Sequence, residues 1–87
     1  MKSVEEIIFR LHNNLMEKQG IHEVSSREIE IRPKNGINSE TIVELILDIE
    51  DELDIELDNY LAMIRECKTI GLFIDIVEKA NKEAHGK

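Results

Sequence analysis

Aliphatic residues recur at intervals of three and four along three stretches of this chain, and that spacing places side chains on one face of a helix. Aromatic residues make up only 3% of the 87 residues, so Ile, Leu and Val must supply most of a core. A chain of this length holds one domain. The pattern predicts an all-α fold, a small four-helix bundle with one short helix. The apolar positions of the three long helices are Val4, Ile7, Ile8, Leu11 and Leu15, then Ile42, Leu45, Ile46, Ile49 and Leu53, then Ile70, Phe73, Ile74 and Val77.

Local start and stop signals place the ends of the first and last helices. Ser3 and Glu6 form a capping-box pair, so the first helix is predicted from residue 3 to about residue 18, before Gly20. The last helix is predicted to start after Thr69. Residues 1–81 are expected to form a single domain, and residues 82–87, which lack periodicity, a disordered tail.

The second helix is predicted over residues 39–53 and a short third helix over residues 59–66. Asp58 is a candidate cap for the third helix, with Leu61 and Ile64 facing inward. Between the first two helices lies a connection rich in turn-forming residues. Its alternating segment 29–32 has no evident partner strand, so the connection is predicted to be a loop packed on the core. The residues expected to hold it there are Ile21, Val24, Ile29, Ile31 and Ile37.

Negative charge is concentrated in the middle of the chain. The net charge is −8, and no Lys or Arg occurs between Lys34 and Arg65. This charge argues against binding to nucleic acid or to anionic membranes, and it favours a partner with a basic surface. The single cysteine, Cys67, and the lack of a signal peptide or membrane segment indicate a cytoplasmic protein. The acids in this window are Glu40, Glu44, Asp48, Glu50, Asp51, Glu52, Asp54, Glu56 and Asp58.

One side of the predicted second helix combines acids with two apolar residues. Val43 and Leu47 are four residues apart and border the acids, away from the apolar stripe of the core. A solvated charged surface is the simpler interpretation. Apolar residues rimmed by charge of one sign are also typical of a docking surface, which is the interpretation we favour. We call this surface the acidic face; it comprises Glu40, Val43, Glu44, Leu47, Asp48 and Asp51.

A short motif precedes the acidic face. Gly36 supplies a turn, and Asn38 or Ser39 serves as a helix cap, which accounts for these residues in structural terms alone. The sequence Gly36-Ile37-Asn38-Ser39-Glu40, followed by Val43-Glu44-Leu45, also resembles the Gly-x-Asp-Ser-Leu-x-x-Val-Glu-Leu signature of the acyl and peptidyl carrier proteins. Thr69-Ile70-Gly71 resembles the element that opens the last helix of that family.

The resemblance implies a fold and a chemistry. The fold is the acyl-carrier bundle, with a long loop between helices I and II and a short helix III. The chemistry is attachment of 4′-phosphopantetheine to Ser39 by a phosphopantetheinyl transferase, which uses its own magnesium. The arm would carry an acyl or aminoacyl group as a thioester. A phosphate at this position would be favoured by free amide donors and by the helix dipole.

In this interpretation the protein is not an enzyme but a free-standing, monomeric carrier. It presents its thioester to acyl-transferring enzymes whose basic surfaces dock on the acidic face. Fatty acid and polyketide synthesis use such carriers, as do peptide and cell-wall pathways. Asn38 and Glu40 depart from the family's aspartate and leucine. Two alternatives therefore stay open: a carrier-fold binding module without the arm, and an acidic helical inhibitor of a basic enzyme.

Other chemistries are not supported by the sequence. The three histidines, His12, His22 and His85, lack the spacing of metal ligands with one another or with Cys67, so no metal site is expected. Each histidine is expected at the surface.

Overall fold

Four helices account for most of the chain in a computed structural model, which describes residues 3–86. They are α1 (Val4–Lys18), α2 (Thr41–Leu53), α3 (Leu61–Arg65) and α4 (Ile70–His85). Single 3₁₀ turns, Pro33–Asn35 and Asp58–Tyr60, precede α2 and α3. The described residues form a small, compact all-helical protein of four helices without strands, which confirms the predicted all-α class.

The ends of α1 and α4 follow the capping signals of the sequence. Ser3 Oγ accepts a hydrogen bond from the amide of Glu6 at 3.1 Å, and Glu6 returns one to the amide of Ser3. Thr69 Oγ1 accepts from the amide of Leu72. Because these contacts are local, the sequence alone could predict them.

The core lies where α1 packs against α2 and α4. The four apolar positions predicted for the last helix are all completely buried. α1 contributes Ile8 and α2 contributes Ile49, both also completely buried. Ile37, Ile55, Leu57 and Ile64 close the core from the connecting segments and α3. The described helices include none that is long and apolar enough to cross a lipid bilayer.

The connection between α1 and α2 packs on the bundle, but not with all the side chains expected. Ile37 is buried and Val24 is 79% exposed, so the prediction was wrong for Val24. Farther along, Ile29 and Ile31 pack against the core as predicted, and backbone pairing adds to this packing. The amide of Ile31 donates to the carbonyl of Lys68, and the amide of Ile70 donates to the carbonyl of Ile29, each at 2.9 Å. The segment around Glu30 thus finds an extended partner, which the sequence analysis did not predict.

Arg27 adds side-chain links between this connection and the bundle. Its guanidinium binds Glu5 of α1 at 2.9 Å and Asp75 of α4 at 2.7 Å. It also donates to the carbonyl of Gly71. One residue of the loop therefore ties α1 to α4.

Predictions about the short third helix and about the end of the last helix need correction. α3 is shorter than expected and begins, in the described chain, without a side-chain cap, so Asp58 does not serve as one. Ile64 is buried as predicted, but Leu61 is 37% exposed. α4 continues through His85, whose ring nitrogen contacts the carbonyl of Leu53, so residues 82–85 are helical. Met1, Lys2 and Lys87 lie outside the described residues.

Candidate functional site

Ser39 is exposed and lies in the turn that leads into α2. The helix begins at Thr41, two residues later than predicted. Glu40, the residue directly before the helix, makes no side-chain cap bond. Instead, Asn38 Oδ1 accepts from the amides of Glu40 at 2.8 Å and Thr41 at 2.9 Å, so Asn38 caps the turn that holds Ser39.

This cap changes the expected setting for a phosphate on Ser39. Free amide donors were expected at the start of this helix, but Asn38 already occupies the amides of Glu40 and Thr41. The dipole of α2 still points its positive end at Ser39, which favours an anion there. A tethered phosphate would therefore gain from the dipole and not from these two amides.

All six residues of the acidic face are exposed. Val43 is 53% and Leu47 is 58% exposed, as expected for residues that point away from the core. Glu44 forms an ion pair with Lys18 at 3.5 Å. Both side chains are largely in solvent, so this pair contributes little to stability and restrains Glu44 only weakly. The face thus presents acids and apolar surface together beside Ser39.

A groove runs between α2 and α3 and reaches Ser39. Its volume is about 760 Å³, and most of its wall is aliphatic. The sequence analysis missed it, because a groove depends on the gap between two helices and not on the pattern along either. The only indication of a groove in the sequence is that α2 carries apolar residues on its exposed side as well as toward the core, and that Leu61 follows in α3. The lining residues are Ile31, Pro33, Ile37, Asn38, Ser39, Ile42, Val43, Ile46, Leu47, Glu50, Asp58, Leu61, Ile64, Arg65 and Cys67.

Cys67 lines this groove but is a poor nucleophile. Burial raises the pKa of the Cys67 thiol, and the negative charge of Asp75 raises it further. The thiol therefore stays protonated at neutral pH. It contributes packing surface to the groove.

His12 is completely buried, contrary to its expected surface position. Its Nε2 lies 2.9 Å from the carbonyl oxygen of Asn35 and its Nδ1 lies 2.7 Å from Ser25 Oγ. A carbonyl only accepts, so Nε2 carries the hydrogen and Nδ1 accepts from the serine hydroxyl. The Ser25–His12 pair resembles an activated nucleophile, but Ser25 is itself buried and the pair fastens the loop to α1.

The burial of His12 predicts a pH dependence of stability. Burial lowers the pKa of His12 below its ordinary value of 6.5, and the smaller effect of the hydrogen bond to Asn35 opposes this. As the pH falls below 6.5 the unfolded chain takes up the proton more readily than the folded protein, so acid destabilises the fold. Urea unfolding between about pH 7.5 and pH 5.5 should show a larger loss of stability for the wild type than for His12→Gln. Equal losses would contradict a buried neutral imidazole.

No family model, curated protein or solved structure was found to match this chain.

Proposed function

We propose that this protein is an acyl carrier of the phosphopantetheine-dependent type, with the acyl-carrier arrangement of its helices. The observation that carries the proposal is the position of Ser39, which is exposed, adjoins an aliphatic groove and precedes the acidic face. A serine that served only as a cap would not need the groove or the charge. The protein catalyses no reaction itself in this proposal.

The attachment step is a phosphoryl transfer. Ser39 Oγ attacks the β-phosphate of coenzyme A, and an O–P bond forms. The anhydride bond between the two phosphates breaks, and a nucleoside bisphosphate leaves. The hydroxyl proton passes to a base of the transferase, whose magnesium neutralises charge on the phosphates. The thiol at the end of the arm then holds the cargo as a thioester.

The groove favours an acyl cargo over an aminoacyl cargo. Its aliphatic walls stabilise each buried methylene by about 0.8 kcal/mol, whereas a charged ammonium group there would lose hydration. Ile42 and Ile46 of α2 and Leu61 of α3 form part of the wall. In this proposal the arm on Ser39 folds back, so that the aliphatic chain at its end lies on this apolar surface.

The acidic face supplies the docking surface for partner enzymes. Its carboxylates steer a partner with a basic surface into an encounter, and Val43 and Leu47 provide apolar area for the final contact. The partners are therefore a phosphopantetheinyl transferase and acyl-transferring enzymes with basic docking surfaces.

Incubation with a promiscuous phosphopantetheinyl transferase and coenzyme A should add one arm to the protein. Intact-mass spectrometry should show a single addition in the wild type and none in Ser39→Ala. Ser26→Ala is the matched control, because Ser26 is a loop serine far from the motif, and it should accept the arm.

The double variant Asn38→Asp/Glu40→Leu makes a negative result informative. It restores the residues that the carrier signature has on either side of the serine. Modification of this variant alone would mean that the protein keeps the carrier fold as an unmodified binding module. No addition to either form, with several transferases, would reject the carrier proposal.

A further inference from the structure

The side chains of His12 in α1 and of Gln19, the residue directly after α1, bind adjacent carbonyl groups at the end of the long loop. His12 Nε2 donates to the carbonyl of Asn35 at 2.9 Å, and Gln19 Nε2 donates to the carbonyl of Gly36 at 2.8 Å. The two residues are seven apart, which is close to two helical turns, so they lie on the same side of α1. Together they fix the backbone three and four residues before Ser39.

Gly36 fits closely between these anchors and the start of α2. It has a positive φ of 84°, and an added Cβ would lie 3.2 Å from both Met16 Cγ and Gln19 Nε2. Its carbonyl also accepts from Thr41 Oγ1 at 2.8 Å. A residue with a side chain would be strained in this conformation and would crowd α1.

The same hydrogen bonds continue to both neighbours of Ser39. Thr41 Oγ1, held by Gly36, accepts from the amide of Asn38 at 2.8 Å. Asn38 Oδ1 in turn accepts from the amide of Glu40 at 2.8 Å. Ser39 therefore sits between two residues whose positions are fixed, through Gly36, by α1.

We infer that His12 and Gln19 are positioning residues, which hold the segment of Asn35 and Gly36 on α1 so that Ser39 is presented in one orientation. This inference rests on the proposed function, since it is the transferase that would require this orientation. Buried Ile37 and the loop's own backbone hydrogen bonds also hold this segment, and the two anchors add the direct links to α1. A precisely held hydroxyl reacts faster than a mobile one.

Three variants distinguish the loss of an anchoring hydrogen bond from a general loss of stability. His12→Gln keeps an N–H near the position of Nε2, whereas the shorter His12→Asn cannot reach the carbonyl of Asn35 while it can still accept from Ser25. Gln19→Met keeps the chain length of an exposed residue but removes the donor to Gly36. If His12→Asn failed to fold, Gln19→Met alone would decide the question.

Hydrogen exchange measures the effect without any modification of Ser39. The amides of residues 37–41 should exchange roughly ten-fold faster in His12→Asn and in Gln19→Met than in the wild type. His12→Gln should stay close to the wild type, and amides in α4 should change much less than those of residues 37–41. An equal increase in both regions, or His12→Gln behaving like His12→Asn, would overturn the positioning role.

Transferase kinetics connect the anchors to the proposed chemistry. The kcat/KM for arm attachment should fall roughly in proportion to the exchange rates, with His12→Gln restoring it. Normal kinetics in variants whose segment 37–41 is mobile would overturn the inference. A wild type that accepts no arm, with the exchange pattern as expected, would reject the carrier function and support the anchoring.

Discussion

Replacement of Phe73 by alanine is expected to lower the free energy of unfolding by about 3–5 kcal/mol. Phe73 is the largest of the completely buried side chains and lies in the core that α4 shares with α1. Its removal loses both apolar burial and packing contacts. The total free energy of unfolding of a small domain is roughly 5–15 kcal/mol. This one substitution should therefore remove a large part of the stability. Urea unfolding followed by far-ultraviolet circular dichroism measures the change.

Leu72→Ala is the matched control for this prediction. Leu72 precedes Phe73 in the same helix but is 50% exposed. Leucine and alanine both favour helices, so the control should change the stability by no more than about 0.5 kcal/mol. Similar losses for the two variants would show that α4 packs on the bundle in a different orientation.

Reversal of three charges on the acidic face is expected to slow arm attachment on the order of 100-fold in kcat/KM. The variant carries lysine in place of Glu44, Asp48 and Asp51, all of which are exposed. The substitutions replace electrostatic attraction to a basic transferase with repulsion. The melting temperature should change little, since exposed charges contribute little to stability. Steady-state kinetics at low salt measure the effect.

A second triple variant tests whether the position of the reversed charges affects arm attachment, in addition to the change in net charge. Lysine at Glu23, Glu66 and Glu78 changes the net charge equally, but these exposed acids lie off the acidic face. This variant should lose much less activity. Near 1 M salt, where charges are screened beyond about 3 Å, the two variants should converge. Equal losses at low salt would exclude a docking role for the acidic face and favour a general effect of charge.

The sequence predicted the elements whose determinants are local. The spacing of Ile70, Phe73, Ile74 and Val77 identified α4 and its buried side, and all four are completely buried. Ser3 identified the start of α1 because its capping partner is only three residues away. Such features depend on the periodicity of a helix and need no knowledge of the tertiary structure.

The features that the sequence did not predict depend on contacts between distant residues. His12 looked like a surface residue, because nothing near it indicates that Asn35, 23 residues later, supplies a carbonyl for its ring. The pairing of Glu30 with Thr69 is equally non-local. The groove exists only because α3 lies beside α2, so neither helix pattern could show it.

The central place of α4 in the core has a consequence for synthesis of the protein. A ribosome synthesises α1, the long loop and α2 before it makes the last helix. Until Phe73 and its buried neighbours are made, the apolar side of α1 lacks the part of the core that α4 supplies. The chain should therefore complete its core in a late step, after α4 has been synthesised.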